Sequence, residues 1–150
     1  MSYPFECPEC GNPRPLMDPC QQCGSDALPL VLDDTIVLNL KRDGPTAEEA
    51  LDRLTHFLRR ATEAGIKAIV LIHGYGSSGE GGRIKWAVHN ALEGNYFSDR
   101  VDDYYFGEDV AFGSDAYHRL LRRRASLKGH LKHFKEGNFG MTVLLLGVVG

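Results

Sequence analysis

The sequence predicts an α/β domain preceded by a small metal-binding module, on three observations. Four cysteines fall in two CxxCG units within residues 7–24. Three β-branched or aromatic apolar runs then alternate with two amphipathic helical patterns between residues 35 and 106, and a last apolar run follows at Met141–Leu146. This order predicts a two-layer β-α-β-α-β-β sandwich with a mostly parallel sheet, plus a small N-terminal zinc ribbon.

The domain boundaries follow from these patterns. We expect a zinc-ribbon-like module at residues 1–30 and an α/β domain at 35–150, with a basic helical insertion at about 107–138. A chain of 150 residues has room for one ordinary domain and such a module. The longest apolar run is far too short to span a bilayer, and the first residues lack a signal-peptide pattern. We therefore expect a cytoplasmic protein without a membrane partner.

Charge is unevenly distributed along the chain although the net charge is only -3. Residues 1–34 hold one cation and six anions, whereas residues 117–135 hold seven cations and no anion. The basic segment, with Arg122 and Arg123 pointing outward, has three interpretations. It could follow a phosphate backbone, form a solvated helix face, or pair with the acidic module.

The cysteines are the most specific signal in the sequence. In each CxxCG unit the two-residue spacer lets both thiolates face one ion, and the glycine relieves the turn. Four thiolates favour tetrahedral zinc over iron, and four ligands leave no open position, so the predicted zinc is structural. Disulfides fit a reducing compartment poorly. The predicted metal ligands are Cys7, Cys10, Cys20 and Cys23.

The first half of the α/β domain contains a strand and a well-delimited helix. Thr35–Leu40 alternates and is β-branched, which predicts a strand. Thr46 and Glu49 form a capping box, after which apolar residues recur on one helical face. Gly65 stands where a C-terminal glycine cap belongs.

The second half contains three more strands and two helices. Strands are predicted at Ile66–Ile72, Arg100–Phe106 and Met141–Leu146, and a helix at 83–93. A further helix could begin at Ser114 or Asp115 and run to about Lys128.

The candidate site follows the second strand of the α/β domain. The strand ends at His73, and five glycines lie between positions 74 and 82, so backbone amides there could approach a ligand closely. The spacing Gly74-x-Gly76-x-x-Gly79 matches a dinucleotide fingerprint only weakly, because it follows the second strand rather than the first. The phosphate-loop motif of nucleotide hydrolases and the GxSxG serine elbow are both absent from the sequence.

The segment 35–149 resembles the Smr (small MutS-related) domain family. The matching residues are Leu38 to Lys41, Thr46 to Gly65, His73-Gly74-Tyr75-Gly76 with Gly79, and Gly140 to Val143. The resemblance implies a fold like that of the C-terminal domain of translation initiation factor three. It also implies nucleic-acid binding, nicking endonuclease activity in several members, and a functional role for His73.

The sequence departs from the family on the first strand. The Asp and His of the family motif are Asn39 and Lys41 here. If those groups supply acid-base or metal chemistry, the resemblance leaves cleavage in doubt while binding survives. Lys41 could hold a phosphate as a point cation but is a poor base near neutral pH.

The resulting hypothesis is a nucleic-acid-binding Smr-like protein, with nicking endonuclease activity on DNA or RNA as an open extension and His73 as the candidate catalytic residue. Whether cleavage would need a divalent metal is open. The alternative is a non-catalytic adaptor whose acidic zinc module docks a protein partner. His73 could instead be an ordinary hydrogen-bonded strand-end histidine, and Trp86 could stack on a base or pack in the core. The predicted nucleic-acid contacts are Lys41, Gly74, Tyr75, Gly76, Ser77, Ser78, Gly79, Arg83, Lys85, Arg122 and Arg123.

Overall fold

A computed structural model of the chain contains six strands and three helices among its described residues. It describes residues 5–31, 34–40, 45–74, 80–97, 99–111, 113–125, 127–128 and 140–147. The strands are β1 (Phe5–Glu6), β2 (Leu30–Val31), β3 (Thr35–Asn39), β4 (Ala68–Ile72), β5 (Val101–Phe106) and β6 (Met141–Leu146). The helices are α1 (Ala47–Ala64), α2 (Glu80–Glu93) and α3 (Asp115–Arg123), with a 3-10 turn at Gly107–Asp109.

The predicted elements of the α/β domain are present, with small shifts of their ends. Helix α1 has the predicted capping box between Thr46 and Glu49, and it ends at Gly65 with φ of 89°. Helix α2 begins three residues earlier than the pattern indicated, at Glu80. Helix α3 ends at Arg123 instead of near Lys128.

The prediction of a mostly parallel sheet was wrong, because the main sheet is mixed. Its strand order is β3-β4-β6-β5, with β3 and β4 parallel and β6 antiparallel to both of its neighbours. Met141, the first residue of β6, pairs with Ile72, the last residue of β4. The chain therefore enters β6 at the sheet edge where β4 ends. A strand that starts at this edge has to run antiparallel to β4.

The predicted two-layer arrangement also needs correction, since both faces of the sheet are covered. One face packs against α1 and α2 through Ile69, Leu71, Leu144 and Leu146. The other face packs against α3 and described residues on either side of it, through Val70 and other alternating positions of β4 and β6. The segment predicted as a basic insertion thus supplies buried residues of its own, namely Val110, Tyr117, Leu120 and Leu127.

The N-terminal module packs against the α/β domain. Its strands β1 and β2 form an antiparallel pair. Phe5 and Leu16 belong to the same core cluster as the residues of α1 and α2. Arg60 on α1 donates hydrogen bonds to the carbonyl oxygens of Leu16 at 3.1 Å and Asp26 at 3.3 Å. These contacts join the cysteine-bearing loops to α1.

Among the described residues, no helix combines the length and apolar character that crossing a membrane requires.

Candidate functional site

The candidate metal centre consists of two loops with the same hydrogen-bond pattern. The amide of Gly11 donates to the carbonyl of Cys7 at 2.9 Å, and the amide of Gly24 donates to the carbonyl of Cys20 at 2.7 Å. Both glycines have positive φ, 77° and 76°, a conformation that side chains disfavour. The CxxCG units therefore form two equivalent knuckles, as the sequence predicts.

The four sulfur atoms are close enough to share one metal ion. All Sγ atoms lie within 4.8 Å of one another, with Cys7–Cys23 and Cys10–Cys20 both at 3.6 Å. Tetrahedral coordination at about 2.3 Å per metal–sulfur bond places sulfurs about 3.8 Å apart, so the cluster fits such a centre. Within the described residues these cysteines are the one group of His, Cys, Asp or Glu with this property.

Backbone amides favour the thiolate form of two of the four cysteines. The backbone amides of Cys23 and Gln22 lower the pKa of the Cys20 thiol to about 6, and that of Cys10 helps lower the pKa of Cys7. Nearby, the fully buried Arg14 donates to the carbonyl oxygens of Asp18 and Ala27 at 2.8 and 2.6 Å. This arginine was not predicted as a structural residue. Arg14 is the sole cation of residues 1–34, and this was the available signal for its structural role.

The second candidate site lies where β3 and β4 end side by side. Asn39 pairs with Ile72, so the altered family position lies beside the strand that leads into His73. The amides of His73 and Gly74 both donate to the carbonyl of Gly140, at 2.9 and 3.1 Å. The turn after β4 is thus joined to the start of β6.

The His73 side chain is fully buried, and both of its ring nitrogens form hydrogen bonds. Nδ1 lies 2.7 Å from the carbonyl oxygen of Gly74, which can only accept, so Nδ1 carries a proton. In the neutral ring Nε2 then accepts from the Thr142 hydroxyl at 2.8 Å. Burial lowers the pKa of His73 to about 4, so the ring is neutral at physiological pH.

A polar cluster on α2 and after β5 adjoins His73. The Lys85 ammonium donates to Glu108 Oε2 at 2.8 Å, and the Lys85 side chain is only 8% exposed. The His89 ring contacts the His73 ring edge-on, with centroids 5.8 Å apart. His89 Nε2 and Glu108 Oε1 are buried without a hydrogen-bond partner. His89 was not predicted as a site residue, and its position on the inward face of α2 was the missed signal.

Burial and the ion pair shift the pKa of two further groups in this cluster, His89 and Glu108. Burial lowers the pKa of His89, so its ring stays neutral near pH 7. Burial acts to raise the pKa of Glu108, but the hydrogen bond and charge of Lys85, a backbone amide and His89 together outweigh burial, so the pKa is lowered overall. The cluster therefore places the Lys85–Glu108 ion pair beside two neutral imidazoles.

The structure brings only some of the predicted contact residues together. Gly74 lies in the turn after His73 with φ of 75°. Arg83 is exposed in the first turn of α2, and Lys85 lies buried two residues further on. The predictions for Lys41, Tyr75, Gly76, Ser77, Ser78 and Gly79 lie outside the described residues.

Arg122 and Arg123 lie on α3, which packs on the opposite face of the sheet from α2. Arg123 donates to Asp103 at 2.5 Å and to the Tyr105 hydroxyl at 2.9 Å, and so ties α3 to the edge strand β5. Arg122 is exposed. The sheet separates both arginines from His73.

The fold and the two sites define a mixed α/β domain with a buried histidine in the glycine-containing turn after β4. A four-cysteine module that could hold a metal ion precedes this domain. A model of the Smr domain family matches residues 43–118, which is more than half of the chain. The chain belongs to the Smr domain family.

A search of solved structures matches the Smr domain of Thermus thermophilus MutS2, determined by crystallography. The two chains are 22% identical, and the match covers 75% of this chain and 96% of that one, with a TM-score of 0.43. No curated protein sequence matches the chain.

Proposed function

We propose that this protein binds the sugar-phosphate backbone of nucleic acid at the edge where β4 ends and α2 begins. Family membership supports the proposal, because Smr domains generally bind nucleic acids. The observation that carries it is the turn at Gly74, which is joined to β6 and leads into the glycine-rich segment before α2. The exposed Arg83 and the positive end of the helix dipole favour anions there.

Salt dependence of binding tests this proposal. Labelled single- and double-stranded DNA and RNA would be titrated by fluorescence anisotropy at about 50 to 300 mM salt, where phosphate contacts predict a steep fall in affinity. Arg83→Gln should weaken binding. The matched control is Lys67→Gln, an exposed cation next to the opposite end of β4. Absence of binding at the lowest salt would contradict the proposal.

We further propose that the four cysteines bind one structural zinc ion. The sulfur separations, the amides around the thiolates and the closed ligand set support zinc. Elemental analysis of freshly purified, reduced protein should find about one zinc per chain. A metal-free protein with the same thermal stability after chelation would contradict this assignment.

Nicking endonuclease activity is a second proposal, favoured by the Lys85–Glu108–His89 cluster beside His73. Two buried atoms without partners in this cluster could bind a water or substrate group. Catalysis by His73 itself would require the Thr142 hydroxyl to release Nε2. Cleavage of a nicking substrate should be lost in His73→Ala and reduced in His89→Gln. Equal cleavage by wild type and both variants would indicate a contaminant.

The adaptor alternative has one observation in its favour. The cysteine module exposes three large apolar side chains, Met17, Leu28 and Leu30, on an acidic segment. A protein partner that binds the full chain, but not a Met17→Ser, Leu28→Ser, Leu30→Ser variant, would support it. The sequence-based prediction that Arg122 and Arg123 contact nucleic acid stays a prediction.

A further inference from the structure

The chain has a single tryptophan, and it is 61% exposed. Trp86 lies on α2, three residues after Arg83, so the two side chains occupy neighbouring positions on the helix surface. The sequence left open whether this indole packs in the core, and its exposure excludes that role. A large aromatic ring kept in water on the proposed binding helix needs another explanation.

One buried aromatic ring, that of His89, contacts the indole. The His89 ring meets Trp86 edge-on, with centroids 5.7 Å apart. His89 is 5% exposed and stacks on Phe106 of β5 with centroids 3.7 Å apart and an interplanar angle of 16°. The Lys85 ammonium lies 5.8 Å from the indole centroid. Because its neighbours are themselves fixed by α2 and β5, the indole is a pre-organised surface.

The same histidine connects the indole to the proposed phosphate-binding turn. His89 contacts Trp86 on one side and His73 on another, at 5.7 and 5.8 Å between centroids. His73 in turn holds the carbonyl of Gly74. The His89 ring therefore lies between the exposed indole and the residue that shapes the turn.

The surroundings of Trp86 favour a planar, charged ligand over a protein surface. Its exposed neighbours at helical spacing are Arg83, Asn90 and Glu93, all polar. Tryptophans that bury into protein interfaces usually lie within a desolvated, apolar patch. A single flat ring beside a cation suits a nucleobase, which stacks on it while its phosphate meets positive charge.

We propose that Trp86 is a stacking platform for an unpaired base, so that the protein prefers single-stranded over double-stranded nucleic acid. The inference rests on the proposed nucleic-acid binding and specifies its substrate class. In a duplex both faces of each internal base are already covered, so only an unstacked base can use the indole. Stacking needs no base-edge readout, so the preference should tolerate sequence.

Fluorescence of the sole tryptophan tests the proposal directly. A single-stranded oligonucleotide should quench the indole emission on binding, while a duplex of equal length and an abasic single strand should quench it far less. In anisotropy titrations Trp86→Ala should weaken single-strand binding roughly 5- to 100-fold, and Trp86→Phe should restore part of it. The matched control is Tyr96→Ala, since Tyr96 is an exposed aromatic residue just after α2.

The outcomes separate this proposal from the one on which it rests. Salt-sensitive binding with unchanged indole emission, and equal affinity for wild type and Trp86→Ala, would overturn the platform and leave the proposed function intact. Equal affinity for duplex and single strand would also overturn it. Absence of binding to any of these nucleic acids would overturn both. Thermal melting of each variant confirms that the altered side chain leaves the fold in place.

Discussion

His73 is the residue on which the turn after β4 depends. Its ring links the carbonyl of Gly74 to the hydroxyl of Thr142, and its backbone amide bonds to Gly140. The side chain and the backbone amide of His73 thus join the turn after β4 to the start of β6. A neutral imidazole with a hydrogen bond at each ring nitrogen is suited to positioning a loop. Proton transfer would require one of these hydrogen bonds to break.

The buried neutral ring makes stability depend on pH. Burial lowers the pKa of His73 from its ordinary 6.5 to about 4, so between these values the unfolded chain binds the proton more readily. The stabilisation is complete above pH 6.5 and is lost as pH falls through about 4. We expect denaturant unfolding to show a decrease of about 3–4 kcal/mol across this window from His73 alone.

Variants identify the source of this pH dependence. His73→Gln should flatten the slope between pH 6.5 and 4, and the lowered pKa of His89 should leave a residual slope. His56→Gln on the exposed face of α1 is the control and should leave the slope unchanged. A slope unaffected by His73→Gln would show that the ring is not buried in its neutral form.

Thr142 provides the second test at this scale. Thr142→Val keeps the shape of the side chain but removes the donor to His73 Nε2, which leaves a buried acceptor unpaired. We expect a loss of about 1–3 kcal/mol in the free energy of unfolding, measured by urea denaturation. The control is Thr55→Val, because the Thr55 hydroxyl bonds only within its own helix at 2.8 Å. Equal losses would argue against a special role for the Thr142 bond.

At the scale of elements, the local sequence accounts for helix α1 and both cysteine knuckles. The capping box and the left-handed Gly65 define the ends of α1 through contacts within four residues. The knuckles repeat one hydrogen-bond pattern because each CxxCG unit contains the turn that it needs. Their joint contribution is to place four sulfurs around one point and to seat Phe5 and Leu16 against α1.

Metal removal should loosen this module. Cys10→Ser removes one of the four ligands, so bound zinc should drop to a small fraction and a chelator should no longer lower the thermal midpoint. In the wild type the same chelator should lower it, because binding stabilises the folded state by mass action. A chelator-insensitive wild type would contradict a structural metal at this position.

Helix α3 shows how an element can be predicted correctly and its role missed. Its cations suggested an accessory insertion, yet Tyr117 and Leu120 are buried against the sheet. Leu120→Ala should cost about 2–5 kcal/mol in the free energy of unfolding, measured by urea denaturation, because Leu120 is fully buried. Leu121→Ala, at a half-buried neighbour, should cost clearly less. If both variants lost a similarly small free energy of unfolding, α3 would not contribute to the stability of the core.

At the scale of the whole molecule, the sheet divides the cations between two sides. Arg83 and the polar cluster lie with α2 on one face, and Arg122 and Arg123 lie with α3 on the other. Arg123 is engaged by Asp103 and Tyr105, so its charge is already partly compensated. The net charge of -3 conceals this division.

This division predicts unequal effects of single arginines. Arg83→Gln should lower nucleic-acid affinity and reduce the slope of log affinity against log salt by about 1, as expected for one lost phosphate contact. Arg122→Gln should change the affinity little, because a strand bound along α2 lies across the sheet from it. Equal losses in salt-series anisotropy would instead support a second track along α3.

The sequence by itself determined the helices and strands of the α/β domain, the cysteine cluster and the family resemblance, because these depend on contacts between near neighbours or on short motifs. Only the tertiary structure decided that β6 enters between β4 and β5, that α3 covers the second face, and that His89 and Glu108 join His73. These facts depend on where the chain re-enters the sheet after residue 110. Helical periodicity marks an inward face but does not say which distant residue it meets.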